Sequence, residues 1–193
     1  MMPIPTSFGE IRSWHSQDAN ALVRYANNRK VWLNLRDGFP HPYTLDHAQA
    51  FIERVSNQHP LLVFAIATPE EAIGSIGLSC NQDVHRFTAE MGYWLGEPYW
   101  DKGIMTEAVS KVAEYDFEQL GLVRIYAKPY THNSSSSRVL EKADFELEGQ
   151  LRSSVYKDGQ IIDQLLYAKV KSPSESRSSS LRIGDACSTC MPR

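Results

Sequence analysis

The sequence predicts an α+β fold, a mixed α/β domain whose central, mostly antiparallel sheet is flanked by helices. Three observations predict it. Apolar residues recur with a helical period in some stretches and alternate with a strand period in others. Two pairs of apolar runs are separated only by short turns, "TPE" at 68–70 and Asp158-Gly159, which marks antiparallel hairpins. Between strand-like 87–96 and strand-like 121–128 lies a long helical stripe, and a helical crossover makes its two strands parallel.

Taken in order, "ALVRYANNRKVWLNL" carries Ala21, Leu22, Tyr25, Ala26 and Val31 near a 3.6 period and reads as a helix. "TLDHAQAFIERV" reads as a second, with Thr44 and Asp46 as cap candidates ahead of Ala48, Phe51 and Ile52. The Gly- and Pro-rich "RDGFPHPY" between them is a surface loop by chemistry and a substrate rim by position. "LLVFAIA" (61–67), "EAIGSIGLSC" (71–80) and "FTAEMGYWLG" (87–96) are strands. Met105, Ala108, Val109, Val112, Ala113, Phe117 and Leu120 then form a helical stripe that Gly121 stops. "VRIYAKP" alternates Val123, Ile125 and Ala127 inward and ends at Pro129. "NSSSSRVLEKADF" is a short helix capped by Asn133, and "ELEGQLRSSVYKDGQIIDQLLYAKV" a hairpin turning at Asp158-Gly159. The expected sheet has about six to seven strands.

The chain has 193 residues, 42% hydrophobic and 22% charged, enough apolar material for one domain with its own core. A formal charge of -3 and the lack of a Lys/Arg run exclude a nucleic-acid or acidic-membrane footprint as the organising feature. No stretch approaches the ~18 apolar residues of a membrane span, and "MMPIPTSFGE" lacks a leader pattern, so the expected location is cytoplasmic. From 172 the composition shifts: "SPSESRSSS" holds six serines in nine positions, so 1–171 reads as the domain and 172–193 as a disordered Ser-rich tail. Cys187 and Cys190 lie in that tail without the partner pair a zinc site needs, and no metal is expected.

Chemistry concentrates in "EPYWDKGIMTEAV", 97–109. A Gly-containing turn running into a helix start offers free N–H groups and a positive dipole end, the usual polypeptide cradle for a phosphate. Asp101 puts a carboxylate in that place, though Asp tolerates the positive φ such a turn demands.

The strings "PHPYTLDHAQAFI", "AEMGYWLGEPYWDKGIMTEAV", "NSSSSRVLEKADFELEG" and "YKDGQIIDQLLYA" resemble the GNAT superfamily of acetyl-CoA-dependent N-acetyltransferases, a resemblance that covers essentially 8–171. The similarity is to the branch containing the ribosomal-protein-alanine N-acetyltransferases. It implies a GNAT-like sheet splayed at the cofactor site, with acetyl-CoA as cosubstrate and no metal. The family's pyrophosphate turn, Gln or Arg, two residues, Gly, one residue, Gly or Ala, maps onto Trp100, Gly103 and Met105. Gly103 alone is strictly kept, and Asp101 stands where a second Gly is frequent. The resemblance therefore assigns Trp100, Asp101, Lys102, Gly103, Ile104, Met105 and Thr106 to the phosphates. It assigns the backbone of Trp94 and Leu95 to the pantetheine chain, and Asn133 to a cap whose neighbourhood touches the coenzyme.

Acetyl transfer needs a neutral amine near the thioester and a proton for the departing thiolate. Glu90 occupies the position of a general base in some GNAT enzymes, or is a solvated strand carboxylate. Ser136 fits the "NxxS" position and is the candidate donor to the thiolate, or a small residue in a helix start. Leu140 occupies the place of the Tyr that many relatives use four residues later, leaving Ser136 or water as the acid. The expected reaction is direct transfer to a primary amine, a protein or peptide N-terminus by family analogy, by a monomer or homodimer. The alternatives are acetylation of a polyamine or antibiotic, and coenzyme A binding without turnover; a polycationic acceptor favours an acidic cleft and a peptide an open groove.

Overall fold

The computed structural model describes residues 3–171, so the tail and its two cysteines lie outside the described residues. Eight strands form one sheet. They are β1 (Ile4–Thr6), β2 (Gly9–Arg12), β3 (Val63–Ala67), β4 (Ala72–Cys80), β5 (Thr88–Leu95), β6 (Arg124–Ala127), β7 (Glu146–Lys157) and β8 (Gln160–Val170), in spatial order β1-β2-β3-β4-β5-β6-β8-β7. The short hairpin of β1 and β2 adds to the expected strands; three and four residues are too few to show a period. Every pairing is antiparallel except β5 with β6, the pair the helical crossover requires. The β7–β8 turn has positive φ at Asp158 (49°) and Gly159 (80°), the two left-handed residues a two-residue hairpin favours.

Five helices flank the sheet: α1 (Ala19–Ala26), α2 (Arg29–Trp32), α3 (Leu45–Ser56), α4 (Ile104–Gln119) and α5 (Ser134–Lys142). The first expected helix is thus broken in two. The Asn28 side chain accepts the backbone N–H of Lys30 and caps a new helix, so a local hydrogen bond ends the run that the apolar period would have continued. Thr44 caps α3 and Asn133 caps α5, as the sequence indicated. Leu120 closes α4 just before Gly121, whose φ is 63°.

Each face of the sheet carries its own core. Against α4 and α5 pack Phe64, Ile76, Leu78, Met91 and Ile125, together with Val109, Val112 and Leu140 from the helices themselves. Against α1 and α3 pack Trp14, Leu22, Ala48, Ile52, Val55 and Ala65. Burying each Val or Leu of these faces is worth about 1.5–3 kcal/mol, so both helix layers are held to the sheet by many such increments. Val123 departs from the inward alternation: it precedes β6 at the sheet's margin and is 47% exposed. Asp116, on the buried stripe of α4, is 0% exposed, and neither carboxylate oxygen has a partner. Burial pushes its carboxyl up to about 8.

Candidate active site

The parallel pair β5–β6 is joined only at Thr88↔Arg124, Ala89↔Ile125 and Glu90↔Tyr126, while β5 runs on to Leu95. Beyond Glu90 the two strands part, and a cleft of about 1280 Å³ opens through the sheet. The phase of β5 decides what faces the gap. Gly96 N–H donates to Ile73 C=O and Asn81 N–H donates to Thr88 C=O, so even-numbered residues bond towards β4. Val123 N–H donates to Phe87 C=O, so odd-numbered residues bond towards β6. Alternation along an antiparallel ladder therefore turns the backbone of Trp94 to Ser75 of β4, and that of Tyr93 and Leu95 to the gap. Of the two residues expected at this edge, Leu95 thus turns its backbone to the gap together with Tyr93, while the Trp94 backbone bonds towards β4. Trp94 contributes only its indole, packed on the α1–α3 face beside Phe39 with ring centroids 5.9 Å apart.

At one end of the gap the chain passes from Leu95 through Trp100, Asp101, Lys102 and Gly103 into α4. Asp101 (φ 59°) and Gly103 (φ 78°) both take left-handed backbone, a reversal that Gly adopts freely and Asp with modest strain. Gly103 sits at the N-cap, no side chain caps the helix, and a Cβ there would meet open space. The N–H groups of Ile104, Met105 and Thr106 precede the first helical bond, Glu107 N–H to Gly103 C=O, and are left for a ligand at the positive end of a 16-residue helix. The Trp100 indole donates to Leu95 C=O at 2.7 Å, tying this turn to the strand edge. Lys102 places its ammonium 5.4 Å above the Tyr99 ring. Asp101 is exposed.

At the other side, Asn133 Oδ1 accepts the Ser136 N–H at 3.1 Å and sets the first turn of α5. The Ser136 hydroxyl lies 2.8 Å from the Tyr93 hydroxyl. Burial pushes the Tyr93 phenol upward, and Ser136 offsets only part of that. Tyr93 was not foreseen as a site residue, though the strand period that pairs it with Leu95 pointed to it.

Glu90 and Ser136 both line the cleft but approach it from opposite faces of the sheet. Glu90 shares the α1–α3 face with Trp94, two pleats along, whereas Tyr93 and Ser136 lie on the α4–α5 face. Glu90 is not a solvated carboxylate: Arg36 from the loop after α2 bonds one oxygen, and Lys128 lies 3.1 Å from the other. The β7–β8 hairpin walls the cleft on this side. Lys157, 1% exposed, places its ammonium 2.7 Å from Asp37 and 3.6 Å over the Trp32 ring, while Arg29 pairs with Asp158 at 2.7 Å. All twelve residues singled out from the sequence line this one cleft. Seven lysines and arginines line it against three acids, Asp37, Glu90 and Asp101.

A splayed parallel pair with an uncapped helix start at its mouth is the architecture of one class of acyl-transfer enzyme, and comparison with known proteins identifies it. The Acetyltransferase (GNAT) domain profile matches residues 10–146, and the chain belongs to this family as an N-acetyltransferase. It is 41% identical over 102 residues to the uncharacterized N-acetyltransferase YoaA of Bacillus subtilis, a match spanning 53% of this chain and 57% of that one. It is 30% identical to the [Ribosomal protein uS5]-alanine N-acetyltransferase of Escherichia coli over 82% of this chain and 85% of the relative. The fold is shared with the ribosomal L7/L12 alpha-N-protein acetyltransferase RimL solved with coenzyme A, at a TM-score of 0.78 and 20% identity over 88% of this chain and 98% of that one.

Proposed function

We propose that this protein transfers an acetyl group from acetyl-CoA directly to a primary amine, the N-terminal α-amine of a protein or peptide. The observation that carries the reading is the gap beyond Glu90, which opens through the sheet with an uncapped helix start on its rim. The free edge at Tyr93 and Leu95 suits the amides of a pantetheine arm, which would add as a short strand. The α4 amides suit the pyrophosphate, and the excess of cations lining the cleft suits a polyanionic coenzyme. The thioester is then presented through the gap to an amine on the α1–α3 face.

There the amine nitrogen attacks the thioester carbonyl, the C–N bond forms, the C–S bond breaks, and the electron pair stays on sulfur. Glu90 is the carboxylate of the acceptor face that takes up the amine's proton, directly or through water. Ser136 donates a hydrogen bond to the thiolate on the other face. Among the described residues the one cysteine, Cys80, does not line the cleft, which favours direct attack over an acyl-enzyme.

The charge of the cleft bears on the acceptor. With seven cations against three acids the cleft is not the acidic one that a polycationic acceptor favours, which supports a peptide N-terminus over a polyamine. Thiol release from acetyl-CoA, measured with N-terminal peptides and with polyamines, tests both points. Release dependent on peptide is expected; faster release with polyamines would overturn the acceptor class, and tight acetyl-CoA binding without acceptor-dependent release would overturn the transfer.

A further inference from the structure

We propose that Tyr93 is a positioning residue for this transfer: it donates to the Ser136 hydroxyl and so aims that hydroxyl's own proton at the sulfur of the departing thiolate. The inference rests on the acetyl-transfer reading above. Three contacts carry it. The Tyr93 hydroxyl lies 2.8 Å from Ser136 Oγ, a pair in which either oxygen can donate, and 3.3 Å from Ser136 C=O; the single phenolic proton is assigned to the shorter contact. Ser136 is in turn held by Asn133 at its N–H. Tyr93 also stands where the β5 backbone turns to the gap, so one residue offers its main chain to the cleft and its side chain to the donor at the cleft's wall.

Of the other phenols lining the cleft, Tyr156 is 68% exposed on the β7–β8 hairpin, and the remaining two are engaged elsewhere. Tyr130 donates to Leu35 C=O at 3.3 Å, and the Tyr99 hydroxyl faces that of Tyr25 at 3.3 Å. Leu140, one turn beyond Ser136, is fully buried and brings no polar atom. A serine hydroxyl carries one proton and rotates freely unless its lone pairs are occupied. With Tyr93 donating to Oγ, the serine proton is turned away from the phenol and is free to point into the cleft that Ser136 lines.

Neither residue is consumed. The amine's proton leaves to Glu90 or water, the thiolate becomes thiol with a proton from water, and Tyr93 and Ser136 keep theirs throughout. Burial holds the Tyr93 phenol neutral, which suits a fixed donor and not an acid that ionises. A charge-assisted hydrogen bond of this kind stabilises the anion at the moment it forms, which is where stabilisation accelerates the reaction.

The test reads the thiol directly. Coenzyme A bound to the protein is titrated by its ultraviolet thiolate absorbance in wild type, Tyr93→Phe, Ser136→Ala and the double variant, alongside kcat and KM. The bound thiol is expected to ionise at lower pH than free coenzyme A, each single variant to raise that pH, and the double variant to add nothing to the larger single effect. In turnover each single variant is expected to lower kcat about tenfold, with KM for acetyl-CoA within about twofold, since residues acting as a unit lose their effect together. A Tyr93→Phe protein that titrates and turns over like wild type would overturn the inference, as would losses that multiply in the double variant. If Tyr93→Phe does not fold, 3-fluorotyrosine at this position, a stronger donor, is expected to lower the bound thiol's pKa further; an unchanged value overturns the inference. Absence of acceptor-dependent turnover in the wild type would instead sink the transfer reading, and the thiol titration would still decide the Tyr93–Ser136 relation.

Discussion

The indole N–H of Trp100 donates to the backbone carbonyl of Leu95 at 2.7 Å and closes the five-residue path from the free strand edge to the helix start. A side chain from the turn proposed to hold the phosphates thereby fixes the strand terminus on which the pantetheine arm would pair. Trp100→Phe keeps an aromatic ring, though a smaller one, and removes the donor. It is expected to weaken acetyl-CoA binding about fivefold, the worth of one neutral hydrogen bond, by calorimetry. Unchanged affinity would mean that the turn keeps its shape without this bond.

Asp101 holds its left-handed backbone at the mouth of the same turn with an exposed carboxylate. At ~5 Å from a phosphate, its charge would repel by about 1 to 3 kcal/mol between water-like and surface-like screening. Asp101→Asn keeps the tolerance for positive φ and removes the charge. Tighter acetyl-CoA binding is expected, with the gain shrinking as salt is added; equal affinities at low salt would place the carboxylate in solvent.

At Gly103, φ is 78° and a Cβ would meet open space, so Gly103→Ala separates backbone strain from steric clash. The variant is expected to lose about 1 kcal/mol of stability in urea unfolding, from the left-handed conformation alone. It is also expected to bind acetyl-CoA more weakly, because the new methyl would protrude at the helix start where backbone must approach the phosphate.

Glu90 sits between Arg36 and Lys128 on the acceptor face. Glu90→Gln leaves the α4–α5 face untouched and is expected to lower kcat/KM for the amine about tenfold or more while the acetyl-CoA Kd holds. A parallel loss of acetyl-CoA affinity would reassign Glu90 to holding the sheet open.

Asp116 makes stability depend on pH. Its carboxyl is raised from an ordinary 3.8 to about 8 by burial, so between these values the folded chain keeps a proton that the unfolded chain has released. Stability then falls as pH rises through that window, by up to about 1.4 kcal/mol per pH unit. Asp116→Asn is neutral at every pH, and urea unfolding at pH 5 and pH 8 should show a smaller difference for it than for wild type. Equal slopes would mean that water reaches the carboxylate in solution.

How far the sequence carried these conclusions depended on whether a feature is local. The left-handed turn ahead of α4 was legible because a Gly, a tolerant Asp and an amphipathic helix follow one another within a few residues, and each acts through its own φ or its own period. Thr44 and Asn133 were legible as caps for the same reason. The break between α1 and α2 was local too, but an Asn can cap or merely sit in a helix, and the apolar pattern across Asn27 and Asn28 outweighed that signal. The backbone phase of β5 was not legible because it depends on which strand lies on which side, and only the pairings with β4 and β6 supply that.

By itself, then, the sequence determined most of the elements, the β3–β4 and β7–β8 hairpins, the single parallel pair and the left-handed turn ahead of α4, since periodicity and φ preference are properties of neighbouring residues. Tertiary structure alone decided that β5 and β6 part after three pairings, that Glu90 meets Arg36 across 54 residues of chain, and that Tyr93 reaches Ser136 across 43. Those contacts exist only once two helix layers clamp the sheet from opposite faces, because packing and long-range ion pairing act between segments that the chain brings together last.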